Sequence, residues 1–295
     1  MTKKVPIVLL MLVVFLLTAC TATGNGNPVA VISGGDDSTA SPYQLLIASS
    51  DVTPADNRVA LTFWNGPDRF KDGQTLKVSI YLVDAEGKAG DKLWEGDATP
   101  YMMSDVQYWV AYPEFTLPAS YGIQTFLTNN DNQSFENRAL LTVKEDAEAP
   151  ATGEAVPATD TLTLEDVNSI EELSSAGPYI EEFYKVNIEE ATQNGKISVI
   201  SFATPGHCTS ALCTPVLLTM SQVHDSMADD DLNWLHIEIW RDFEREYLDP
   251  AVTDWNLPSE PWVFILNADG TVGARLDGPV SVEELEKVIQ EVENG

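Results

Sequence analysis

Between residues 145 and 161 the chain reads EDAEAPATGEAVPATDT, and the hydrophobic rhythm differs on its two sides. Ala, Pro, Glu and Thr in this order repeat at neither the period of a strand nor that of a helix. Such a stretch forms an extended, charged linker. It constrains the fold strongly, because each flank must then bury its own apolar residues. The linker leaves one domain over 42–144 and another over 162–295, and a chain of this length accommodates two domains of ordinary size.

The first domain reads as all-β. Short runs alternate apolar and polar residues at 43–48, 58–64, 76–83, 108–112, 122–128 and 139–143. Leu76, Val78, Ile80 and Leu82 line one face of such a strand. Clusters of Asn, Gly, Pro and Asp separate the runs, as in Asn65-Gly66-Pro67-Asp68. The spacing predicts an antiparallel sandwich of immunoglobulin type. This domain holds neither cysteine nor histidine, so it has no thiolate or imidazole with which to bind a metal. It reads as a spacer or interaction module. Trp64, Tyr101 and Tyr108 are either core and edge packing or partner contacts.

The second domain alternates strand and helix. Ser169 to Glu172 has capping-box spacing. A helix over 187–194 is closed by Gly195. Residues 197–202 form a continuous apolar strand. A helix follows over 216–224, a strand over 232–240, a helical turn over 250–255, and strands over 262–266 and 271–275. Ser281 to Glu284 is another capping box and opens a last helix. This order predicts an α/β layered fold.

The chain has three cysteines, so disulfides do not staple the fold. Cys20 follows Lys3, Lys4 and an apolar run over 5–17, the pattern of a secretory signal. Leu17-Thr18-Ala19-Cys20 resembles the bacterial lipobox. The resemblance implies cleavage after residue 19, a lipid on Cys20 and an extracytoplasmic, membrane-tethered protein. An ordinary signal peptide or an uncleaved anchor is the other reading. Residues 20–41, rich in Gly, Thr, Asn, Asp and Ser, read as a flexible tether. The formal charge is -30, from 16 Lys+Arg against 46 Asp+Glu. A surface so acidic repels nucleic acid, which is therefore not a partner.

Cys208 and Cys213 lie in PGHCTSALCTP, just after the apolar strand and before a helix. In an oxidising compartment, two thiols so close in sequence are expected to act as a pair. On one regular helix, five positions span about 140° and point the thiols apart. Cys208 is therefore expected in the loop before the helix and Cys213 in its first turn. A thiolate at such a helix start is stabilised by unpaired backbone N–H groups.

Phe202-Ala203-Thr204-Pro205, the Cys-x4-Cys pair, and Glu260-Pro261 before the strand over 262–266 together resemble the thioredoxin-like family, in particular its extracytoplasmic members. The resemblance covers 197–292 well, and leaves the first domain unexplained. It implies thiol–disulfide exchange, with Cys208 attacking and Cys213 resolving. It implies a cis peptide before Pro261, and a substrate groove lined by Pro261, Glu260, Thr204, Pro205 and His207. Its partners would be extracytoplasmic thiol or disulfide proteins and a redox partner that resets the pair. The family usually carries Cys-x2-Cys and an acid on the strand over 197–202, and this chain has neither. His236 and Glu238, two apart and so on one strand face, are expected to take that acid/base role. The alternative for Glu238 is an ion pair with Arg241 or Arg245.

Three other chemistries compete. A copper chaperone of the SCO type would use Cys208, Cys213 and His236, since thiolates suit Cu(I). Thr204 to Cys208 also resembles a peroxiredoxin motif with its threonine one residue out of place. Finally, the pair could be an inert disulfide in a non-catalytic docking module. The exchange reading itself needs no cofactor.

Overall fold

The computed structural model describes residues 41–227 and 231–295. Cys20, the signal segment and nearly all of the tether lie outside the described residues.

The first domain contains β1 (Gln44–Ile47), β2 (Val59–Asn65), β3 (Asp68–Arg69), β4 (Gly73–Val83), β5 (Ala89–Met103), β6 (Val106–Ala111), β7 (Ala119–Asn129) and β8 (Ser134–Val143). They pair antiparallel in the order β1-β2-β6-β5-β4-β7-β8, with β3 as a hairpin on β2. The long β5 turns the corner of the sandwich. Its first part pairs β4 and its last five residues pair β6. Leu76, Val78 and Ile80 bury fully in the inner core with Phe63, Trp109 and Ile123, whereas Leu82 at the end of that strand is exposed. The antiparallel sandwich expected from the sequence is therefore present.

Strand β6 is buried along its whole length. Trp109 and Ala111 face the sandwich core, while Val106, Tyr108 and Val110 join a second core with residues of the C-terminal domain. Tyr101 and Tyr108 are thus interface packing, and Trp64 is half-exposed.

The C-terminal domain contains α1 (Ile188–Ala191), β9 (Ser198–Ala203), α2 (Cys213–Ser226), β10 (Asn233–Glu238), β11 (Trp240–Asp242), β12 (Tyr247–Leu248), α3 (Pro250–Asp254), β13 (Trp262–Leu266), β14 (Val272–Asp277) and α4 (Val282–Asn294). Its sheet runs β10-β9-β13-β14. Strands β10 and β9 are parallel, and β13 is antiparallel to both β9 and β14. That order, with a helix crossing between β9 and β10 and another after β14, is thioredoxin-like. Strand β9 is central and buried on both faces, which explains its unbroken apolar run.

The two capping boxes differ. Ser281 accepts from the Glu284 N–H at 3.1 Å and caps α4. Ser169 makes no side-chain cap and precedes only a 3-10 turn. Helix α2 starts three residues before the expected position, with Cys213 as its first residue. The strand expected over 232–240 ends at Glu238, and the chain turns into the β11–β12 hairpin.

The stretch over 145–161 is extended and closely packed. Its backbone bonds with Val272 at Gly153 and Glu154, so it covers the free edge of β14. Ala149 and Val156 are buried beside Trp255. Two ionic networks fasten the domains together. Arg58 donates to both Glu284 oxygens, at 2.7 and 2.9 Å, and to the carbonyls of Asp277 and Pro279. Tyr108 Oη donates to Glu284 at 2.6 Å. Asp51 accepts from Lys144 and Arg275 and from the Glu148 and Ala149 N–H groups. Burial raises the Asp51 pKa, but Lys144 and Arg275 more than offset it and leave the carboxyl below its usual range.

Candidate redox site

Strand β9 ends at Ala203, and the Thr204 carbonyl accepts from the His207 N–H at 3.2 Å. This turn presents Cys208 half-buried at the surface. Ala211 then takes a left-handed conformation, φ 56°, and the chain enters α2 at Cys213. The four residues between the cysteines fold outward, so Cys208 Sγ lies against the start of the helix. It accepts from the Cys213 N–H at 3.3 Å and contacts Ser210 Oγ at 3.2 Å. Pro215 sits in the first turn, where its missing N–H costs no intrahelical bond. Both thiols are free.

The two sulfurs have opposite proton affinities. The hydrogen bond from the Cys213 thiol lowers the Cys208 pKa most, to about 5, with Ser210 and the backbone N–H groups of Cys213 and Leu212 adding to it against burial. That same bond holds the proton on Cys213, and burial pushes its pKa up further. Cys213 is fully buried. A half-buried thiolate beside a fully buried thiol leaves the pair with one accessible nucleophile.

The peptide bond between Glu260 and Pro261 is cis, as the resemblance implied. Pro261 opens onto β13, which pairs with β9. The Glu260 carboxylate lies with the two sulfurs: one oxygen and both Sγ atoms are all within 4.8 Å of one another. Burial raises the Glu260 pKa, and the Cys208 charge adds to the rise. Among the described residues this is the one such cluster of three His, Cys, Asp or Glu donor atoms.

His236 and Glu238 lie outside that cluster. His236 is buried on β10. Its Nε2 is 3.1 Å from the Ala203 carbonyl, which only accepts, so Nε2 carries the proton. Its Nδ1 then accepts from Tyr184 Oη at 2.6 Å. Burial pushes the His236 pKa down, although Glu238 nearby opposes this. The imidazole is a neutral packing group with both nitrogens engaged, so the copper arrangement through His236 is not assembled. Glu238 accepts from the N–H and Oγ of Ser175, each at 2.7 Å, and Ser175 Oγ in turn accepts from the Gly206 N–H at 2.8 Å. Glu238 is thus tied to the cysteine loop through Ser175. The alternative ion pairs are not formed either, since Arg241 binds Asp249 and Arg245 binds Asp242.

Thr204 is buried, while Pro205 and His207 are half-buried along the same turn. His224, partly exposed, packs edge-on against Phe183 and Trp234. Sequence reasoning missed Arg69. This sandwich residue lies over Trp64 and donates to the Ser210 carbonyl at 3.1 Å, within the Cys-x4-Cys loop. Ser50 of the sandwich also meets Ser259, beside the cis peptide, at 2.8 Å. The first domain therefore touches both loops that frame the cysteines.

Fold and site together define the class: a β-sandwich mounted on a thioredoxin-like domain with a Cys-x4-Cys pair. No family model matches the chain, and no curated protein matches it. The solved structures similar to parts of it include the following two. A thiol:disulfide interchange protein of the thioredoxin family from Chlorobium tepidum TLS aligns with 48% of this chain and 99% of its own, at 15% identity and a TM-score of 0.31. CopC from Methylosinus trichosporium OB3b aligns with 35% of this chain and 95% of its own, at 17% identity and a TM-score of 0.24.

Proposed function

We propose that this chain is an extracytoplasmic, lipid-anchored thiol–disulfide oxidoreductase working through Cys208 and Cys213. The observation that carries the reading is the asymmetry of the pair. Cys208 is accessible and has its pKa lowered to about 5, while Cys213 is buried and protonated at the start of α2. Cys208 attacks a substrate disulfide and a mixed disulfide forms. Cys213 then displaces the substrate thiolate and closes the Cys208–Cys213 bond. The reverse sequence oxidises a substrate dithiol. Pro261, Glu260, Thr204, Pro205 and His207 line the ground on which the substrate backbone lies. Partners are extracytoplasmic proteins bearing thiols or disulfides, and a second redox protein that resets the pair. The anchor is the lipid on Cys20.

The test is to trap the intermediate. Cys213→Ser should accumulate a mixed disulfide with a disulfide-bearing peptide, and Cys208→Ser should accumulate none. A Cys208→Ser protein that keeps its biological role would instead mark a docking module.

A further inference from the structure

In the dithiol state the Cys213 proton is shared with the Cys208 thiolate. Once Cys208 is tied up in a mixed disulfide, that acceptor is gone. Cys213 must still lose its proton before it can attack, and it is fully buried. The strand that usually carries an acid in this fold offers none here: β9 reads SVISFA. Glu238 is bonded to Ser175, and both nitrogens of His236 are engaged. Among the described residues, the carboxylate clustered with the sulfurs is that of Glu260, within 4.8 Å of both. One rotation of the side chain or one bridging water spans that distance.

We propose that Glu260 is the base that accepts the Cys213 proton during resolution. This rests on the exchange reading above. The Cys213 S–H proton moves to a Glu260 oxygen. The Cys213 thiolate attacks Cys208 Sγ, the Cys208–Cys213 bond forms, and the bond from Cys208 to the substrate sulfur breaks. The substrate leaves as a thiolate with the electron pair. Two electrons have then passed from the protein dithiol to the substrate disulfide, and Glu260 returns its proton to the departing thiolate or to water. The timing suits the charges. The Cys208 thiolate repels a Glu260 carboxylate and favours its protonated form. Burial raises the Glu260 pKa most, and capping Cys208 removes the second cause, the negative charge beside it. In the reverse direction, protonated Glu260 gives a proton to Cys213 as it is expelled.

The experiment follows single-turnover reduction of an aromatic disulfide whose released thiolate absorbs visible light. The first release reports attack by Cys208, and the second reports resolution by Cys213. Glu260→Gln should slow the second phase roughly 10- to 100-fold more than the first near pH 7, at or just below the usual range for a lost general base. The deficit should shrink as pH rises, because hydroxide replaces the missing base. Glu260→Asp should recover part of the rate. An unchanged second phase in Glu260→Gln, or equal slowing of both phases at every pH, would overturn the assignment and leave the exchange reading intact. A wild-type protein with no first phase would instead overturn the exchange reading and Glu260 with it.

Discussion

Arg69 of the β-sandwich donates to the carbonyl of Ser210, between the two cysteines of the thioredoxin-like domain. The guanidinium is 141 positions away in sequence and is steadied by stacking over Trp64 at 5.3 Å. It meets a loop already turned outward through Ala211. Arg69→Ala should speed amide hydrogen exchange at residues 208–213 of the reduced protein. As a surface contact, its loss should change stability by only about 0.5 kcal/mol. Unaltered exchange at Leu212 and Cys213 would show that the sandwich merely touches the loop.

Cys208 should titrate as a strong thiolate nucleophile. Its alkylation rate by iodoacetamide should rise with a midpoint near pH 5 and be flat around neutrality, following its pKa of about 5. Cys213 should resist alkylation while the protein is folded. The folded value lies below the unfolded one of about 8.5, so the thiolate stabilises the dithiol form fully above that pH. The contribution fades as pH falls and is gone below about 5. A midpoint near 8.5 would contradict the geometry of the pair.

Gly206 is where the cysteine loop meets its anchor. A Cβ there would lie 2.8 Å from both the carbonyl oxygen and the Cβ of Ser175. Gly206→Ala should therefore push the loop off Ser175, break the bond from its N–H and cost about 1–3 kcal/mol. The Cys208 alkylation midpoint should move upward as the loop loosens. Thermal melts and alkylation profiles on the variant check both effects.

The fold was legible where periodicity is strong. Leu76, Val78 and Ile80 alternate cleanly, and 198–203 is a solid apolar run. Strand β5 was not legible. Ala89 to Met103 mixes Lys, Asp, Glu and Gly and includes Pro100, because it crosses from one sheet to the other with much of its length exposed. At the site, the Cys-x4-Cys placement followed from local sequence, and the cis peptide from the family resemblance. The partner of Glu238 did not, because the Ser175 N–H and hydroxyl reach it from a segment 63 positions away. Arg69 was hidden for the same reason. Glu260 was visible as a groove residue, but its closeness to the sulfurs depends on how β13 pairs with β9.

Arg58 and Glu284 are both buried, at 7% and 1% exposure, so removing one strands the other in a dry interface. Arg58→Ala should cost about 3–5 kcal/mol and lower the melting temperature of both domains together. Melting of the C-terminal domain alone, with the sandwich unaffected, would show that the domains fold independently.

The most direct measurement is the reduction potential of the Cys208/Cys213 couple, by equilibration with glutathione and dithiothreitol. A stabilised Cys208 thiolate favours the dithiol, so the couple should be reversible and lie between about -120 and -270 mV, the span of exchange catalysts. A couple below about -300 mV would mark a structural disulfide and contradict the exchange reading.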